Sequence, residues 1–545
     1  MGLQFFLVLF LSLVVFGLVP VFATNPTDSS PWQTSKNYAA TPVKVLDCTP
    51  YGGDSDGDGI CNNWEDGTFG PGLHIDFTDN SLGTTSVHYK YDLSCTPGNT
   101  ITNDPTGLTV CPSPTKKDIY LEIDWMTGHD ISSTAIADVV KAFDKMGIAL
   151  HIQYGENPST NSGDIGVHYC DVRRVLSNGG TAGQACSITT TNYQSYPFLK
   201  QNFFGTTSER SGNITICPRS DIPTSAGTVS NANSYNCLTA KRQVFHYGLV
   251  ANYQWGSATS SGWSELVGND FLISLGNFAN GVGGIDEQEG SSMHELGHNL
   301  GLNHGGVQDS TNCKPNYLGV MNYVYQFREN TDVCRPLAYS NTALANLNEN
   351  SLTDSNIGSY PYPSDNPPPP PGTKTNQPTT CPTSGERNIW WSYPSGVYSG
   401  TTGVKNDWDG NGIDSNTYSQ NLNNLGGTCT DSTFSTLTGF NDTDFILHGN
   451  TANPQPLNFR TSSNFYQGLL PSAIDSPELG QGDNHEEVTT ETVLQLANIV
   501  ASSHPSSIVQ HPDHNDLTFL LYVIIGLIIA VLAIVIVILV LSRTK

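Results

Sequence analysis

Two spacings of apolar residues alternate between positions 116 and 155. In KKDIYLEIDWM (116–126), Ile119, Leu121 and Ile123 alternate with Tyr120, Glu122 and Asp124, and the segment reads as a buried strand. In ISSTAIADVVKAFDKMG (131–147), Ile136, Val139, Val140 and Phe143 recur at helical spacing, and Gly147 supplies a stop. IALHIQYG (148–155) is again strand-like. Strand, helix, strand predicts a right-handed βαβ unit. Two more strand candidates, RQVFHYGLVAN (242–252) and NDFLISLG (269–276), follow.

Longer apolar runs mark the two ends. Residues 5–19 are followed by Pro20 and the small-residue pattern Val21-Phe22-Ala23, so 1–23 has the shape of a signal peptide cleaved after Ala23, although its first residues carry no Lys or Arg. Residues 517–541 contain no charge, and at about 1.5 Å per residue they reach ~37 Å, enough to cross a hydrocarbon core of about 30 Å. Arg543 and Lys545 follow, which keeps 542–545 cytoplasmic and turns the body of the chain outward. The expected order is a loop-rich region at 24–115, a main unit at 116–345, a Pro-rich linker at 346–380, a small Cys-containing segment at 381–450, a stalk at 451–516, and the transmembrane helix.

Charge narrows the partners. The chain has 49 acidic and 23 basic residues and a net charge of −26, which repels phosphate backbones and excludes nucleic acid as a partner. Nothing suggests polybasic attachment to lipid. The 12 cysteines form no CxxC pair, and in an exported chain an even count points to disulfides. Sequence does not fix their connectivity. Near-neighbour pairing would give Cys48–Cys61, Cys95–Cys111, Cys170–Cys186, Cys217–Cys237 and Cys313–Cys334, leaving Cys381 and Cys429. Asn213 and Asn441 begin glycosylation sequons.

The chemistry concentrates in HELGHNLGLNH (294–304). Residues four apart share one face of a helix, so His294 and His298 can offer two imidazoles to one metal. Glu295 lies about 100° round the helix, placed to act on water rather than to ligate. Gly301 lets the helix stop, because glycine accepts positive φ, and the chain can return with His304 as third ligand. Three nitrogens leave a fourth position open, as in catalytic zinc sites.

This pattern, HExxHxxGxxH, resembles the signature of the metzincin clan of zinc endopeptidases, most closely its pappalysin-like and related secreted microbial members. The resemblance extends to Met321 in NYLGVMNYVYQF (316–327), which matches the clan's methionine turn as a structural residue beneath the metal. It also covers Tyr323, which would steady an oxyanion beside catalytic Glu295. It implies an α+β fold for about 116–345, a mixed twisted sheet plus the active-site helix. NDFLISLG would then be an edge strand that pairs with extended peptide substrate. One departure is Gly305, at the position after the third histidine.

Two acidic loops flank this unit. DSDGDGICNNWE (54–65) places Asp54, Asp56, Asp58, the Ile60 carbonyl, Asn62 and Glu65 at calcium-loop positions. DWDGNGIDSNTY (407–418) repeats the beginning with Asp407, Asp409 and Asn411 but has no acid at its twelfth position. The expectation is a membrane-anchored, outward-facing enzyme that hydrolyses peptides or proteins with Zn2+ and holds Ca2+ in loop-rich flanks. The alternatives are a calcium-dependent surface scaffold whose zinc is structural and a zinc hydrolase acting on non-peptide bonds.

Overall fold

The structure, a computed structural model, describes residues 48–448 apart from several internal stretches, the longest being 96–110, 174–192, 211–237 and 361–386, together with 504–505. The segments at 1–23 and 517–541 lie outside the described residues. No described helix is long and apolar enough to cross a membrane.

The described residues form a mixed α and β structure. A long hairpin comes first: β1 (Gly70–Asp79) pairs antiparallel with β2 (Val87–Ser94), Ile75 facing Tyr91. Then come β3 (Asp118–Trp125), α1 (Ser133–Lys145) and β4 (Ala149–Tyr154). After a further stretch follow β5 (Phe245–Ala251), β6 (Gly262–Ser264), β7 (Asp270–Ser274) and α2 (Ile285–Asn299). Five of these strands make one sheet in the order β6-β7-β5-β3-β4, with β6 antiparallel to β7 and the other pairings parallel. The strand–helix–strand reading of 118–154 therefore holds, with β3 and β4 parallel.

Pleating divides the core into two layers. Ile119, Leu121, Ile123 and Trp125 of β3 pack with α1 and α2, along with Val250, Phe271 and Ile273. Tyr120, Phe245, Tyr247, Leu249 and Leu272 face the other way, against Leu73, Ile75, Tyr89 and Tyr91 of the hairpin. Both faces of β3 are thus covered, and all eight of its residues are buried, in line with the reading of a buried strand. Glu122 is neutralised by Lys241, which also donates to Glu209 (2.8 Å), and Asp124 accepts from the Tyr247 hydroxyl (2.9 Å).

Three readings change. NDFLISLG is not the edge: β7 is enclosed by β5 and β6, and the edge is the three-residue strand Gly262–Ser264. A strand that short leaves too little alternation to read. The pairing Cys313–Cys334 is replaced by Cys313–Cys429, and Cys334 is itself disulfide-bonded. Cys48–Cys61 and Cys95–Cys111 form as expected. Finally, the core does not stop at 345. Leu347–Asn348 pairs with Thr436–Leu437, Ser355–Asn356 with Lys405–Asn406, and Leu352, Trp391, Trp408 and Leu437 join the cluster that contains α2. A disulfide spanning 116 residues ties this later segment to the turn beyond the histidines.

Candidate metal centres

Helix α2 carries the histidines. It begins with a box in which Glu287 accepts from the Gly284 N–H (2.6 Å), and Asp286 and Glu287 complement the N-terminal dipole. It ends where Gly301 adopts φ +91°, the left-handed turn expected of that glycine. The Leu302 N–H then returns to the Gly297 carbonyl (3.0 Å), which brings His304 back over the helix. Just beyond, the buried Lys314 ammonium donates to the Gly305 carbonyl (2.7 Å) and to Asp309 (2.7 Å) and holds that turn.

The three rings converge as predicted. His294, His298 and His304 are 0%, 5% and 2% exposed, and their ligand nitrogens lie within 4.8 Å of one another. His294 Nδ1 donates to the Val320 carbonyl (2.8 Å) and His298 Nδ1 to the Leu302 carbonyl (2.7 Å). A carbonyl only accepts, so each Nδ1 carries the proton and each Nε2 presents a lone pair. Those two Nε2 atoms are 3.1 Å apart. Tetrahedral zinc with bonds of about 2.0–2.1 Å requires ligand atoms about 3.3 Å apart, so the pair fits one ion.

Glu295 stands outside this ligand group. It lies against the edge strand: a Cβ at Gly262 would come within 2.2 Å of Glu295 Oε1, and the Ser264 hydroxyl donates to the Glu295 carbonyl (2.8 Å). Asn299 continues the seam by donating to Ser264 Oγ (2.7 Å) and to the Asp270 carbonyl (3.0 Å). Met321 is fully buried under α2, and a Cβ at Gly297 would come within 2.4 Å of its sulfur. The glycine inside HELGH is therefore what lets the methionine turn approach. The Tyr323 ring packs on His304, centroids 4.5 Å apart.

The acidic loops are rearranged relative to expectation. In the first, Asp56, Asp58 and Glu65 converge with Asp118, the first residue of β3, and Asp54 is not in that group. Asp54 instead accepts the Gly57 and Gly59 N–H groups (2.8 and 2.9 Å). Asn62 turns back to Gly52 and Ser55, and Ile60 enters through its N–H on Asp58 Oδ1 (2.7 Å). In the second loop, Asp407 and Asp409 are joined by Asp354, while the Asn411 amide is spent on Asp409 Oδ2 (2.7 Å). Sequence reading missed Asp118 and Asp354. The signal available for Asp118 was an acid at the first position of a buried strand.

Electrostatics sets the first loop apart from ordinary acidic surface. Asp58, Glu65 and Asp118 are 0%, 0% and 1% exposed. With oxygens within 4.8 Å and an effective dielectric of about 20, each ionised pair costs about 3.5 kcal/mol, so the three buried acids together cost about 10 kcal/mol. That equals the whole stability of a typical domain. Burial, then Asp58, Asp118 and Asp56, push the Glu65 carboxyl up to about 12, and burial pushes Asp56 up to about 6. Such a group either keeps its proton or meets a cation.

Compared with known proteins, the chain matches no family model, no curated protein and no solved structure.

Proposed function

We propose that the protein is a zinc endopeptidase of metzincin type, facing outward and held in the membrane by residues 517–541. The observation that carries the reading is the pair of imidazoles fixed through Nδ1 so that their Nε2 atoms meet 3.1 Å apart, with His304 beside them. A structural site fills all four positions with protein ligands, whereas this donor group has three.

Bound at these nitrogens, zinc supplies Lewis acidity and brings the pKa of water to about 7. Glu295 takes a proton from the attacking water and returns it to the leaving amine. Its place against Gly262 sets the substrate's scissile bond near the edge strand β6. Tyr323, packed on His304, donates its hydroxyl to the oxyanion of the tetrahedral adduct. Peptides and proteins outside the cell are the substrates, and Ca2+ serves the flanking loops.

The test is Glu295→Gln. An amide cannot take the proton, so cleavage of casein should fall by about 10²–10⁴-fold. Zinc content should stay at about one per chain, because Glu295 is not in the ligand group. Equal cleavage by wild type and variant removes the assigned mechanism. Zinc-loaded wild type that cleaves no peptide favours the scaffold.

A further inference from the structure

Lys117 and Asp118 open the central sheet and reach into the loop that precedes it. Lys117 Nζ donates to the carbonyls of Asp56 (2.6 Å) and Gly57 (2.8 Å), and the Asp118 N–H donates to Asp58 Oδ2 (2.8 Å). The Cys48–Cys61 disulfide closes the loop on its other side. The Asp118 carboxylate is itself held, Oδ1 by His151 Nε2 of the neighbouring strand β4 (2.6 Å) and Oδ2 by the Ser113 N–H (3.1 Å). It is thereby fixed in front of Asp56, Asp58 and Glu65.

Glu65 supplies the second observation. Its side chain is fully buried and faces the other three carboxylates; the Asp118 carboxyl is its hydrogen-bonding neighbour, and no N–H or hydroxyl donates to either oxygen among the described residues. Asp56 Oδ2 likewise has none. Lys117 donates to the backbone carbonyls of Asp56 and Gly57, and its ammonium faces the charges of Asp58, Asp56 and Asp54.

We propose that Asp56, Asp58, Glu65 and Asp118 bind one calcium ion that clasps the N-terminal loop to the first strand of the sheet carrying the histidine helix. Four carboxylates and no nitrogen or sulfur donor define a hard, oxygen-seeking site. Their oxygens lie within 4.8 Å of one another, close enough to share one ion; calcium takes many oxygen ligands in loose geometry, whereas magnesium's reluctance to shed water suits a dry site less well. The clasp differs from a self-contained calcium loop because one ligand comes from another part of the fold. Occupancy therefore reports docking: the ion is complete only when the loop, and the hairpin that follows it, sits against β3. This inference does not depend on the zinc reading.

Hydrogen exchange of the full chain, with Ca2+ added after treatment with a calcium chelator, reads the clasp locally and separately from the Asp354 site. Ca2+ alone should slow exchange in peptides covering 54–66 and 117–120 together, with little effect from Mg2+ at the same concentration. Asp118→Asn should raise the Ca2+ concentration for half-protection of both peptides at least ~10-fold, since affinity follows ligand charge. Glu65→Gln, of the same size, should do likewise and serves if Asp118→Asn does not fold. Absent protection in the wild type, equal protection by Mg2+, or a wild-type response in both variants overturns the proposal.

Discussion

The three histidines come from eleven consecutive residues, and one helix with one glycine turn suffices to gather them. The four carboxylates around Asp118 come from positions 56 to 118 and meet only because Lys117 and the Asp118 N–H dock a loop on a strand. Both groups are buried, but they answer to different parts of the fold. The histidine centre depends on what lies under its helix, Met321 and Tyr339. The acidic centre depends on a contact between two regions distant in sequence. Damage to one should therefore leave the other working.

The sharpest way to break this contrast is His304→Ala. Two nitrogens remain, and zinc affinity should fall by more than about 100-fold, the upper loss expected when only a hydrogen-bond partner of a ligand is removed. Metal analysis after dialysis reads the zinc. The calcium response of peptides 54–66 and 117–120 should be unchanged, and its loss would show that the two centres are one cooperative unit.

Gly297→Ala probes the floor of the histidine centre. The added methyl would meet Met321 Sδ at 2.4 Å and Tyr339 Cε1 at 2.8 Å, so something must move. Overpacking of this kind costs about 1–3 kcal/mol. Denaturant unfolding should show that loss, with weaker zinc retention at unchanged Glu295. An unaltered midpoint would mean that the methionine side chain gives way freely, and the turn would then not set the helix position.

A third test concerns a buried acid outside the metal-capable clusters of the described residues. Asp442, on the helix Asp442–His448, accepts from the Tyr317 hydroxyl (2.7 Å) and the Ser340 N–H (3.0 Å) through Oδ2, and burial pushes its carboxyl up to about 7. Oδ1 has no donor among the described residues, in keeping with a proton there. A folded pKa above the unfolded value of 3.8 means the folded state binds the extra proton between about pH 4 and 7. Its contribution is complete below about pH 4 and fades as pH rises to 7, by at most about 1.4 kcal/mol per pH unit. Urea unfolding at fixed calcium should show wild type losing stability relative to Asp442→Asn from pH 5 to pH 7.5. Parallel curves would mean that Asp442 is ionised throughout, and that burial alone does not distinguish it from the Asp118 group.

Much of this was legible in the chain. The alternation of Ile119, Leu121 and Ile123 and the helical spacing of Ile136, Val139, Val140 and Phe143 fixed β3 and α1 to within a few residues, because those periods arise from local geometry. The histidine centre was legible for the same reason: residues four apart on a helix must share a face, and a glycine that can take φ +91° must be where the chain turns back. What sequence could not supply was anything that depends on which segments become neighbours. It read β3 as buried without saying by what, since the hairpin that packs against its Tyr120 side lies some thirty residues earlier and nothing in β3 announces it. The family resemblance placed the sheet edge at NDFLISLG (269–276), and near-neighbour pairing joined Cys313 to the wrong partner, because nearness along the chain is a poor guide to nearness in space. Sequence reading chose Asp54 and missed Asp118, although a metal centre is blind to chain order and answers only to which oxygens can reach one point. Local periodicity set the elements and the histidine triad, and only tertiary packing decided which strand is the edge and which carboxylate completes each acidic centre.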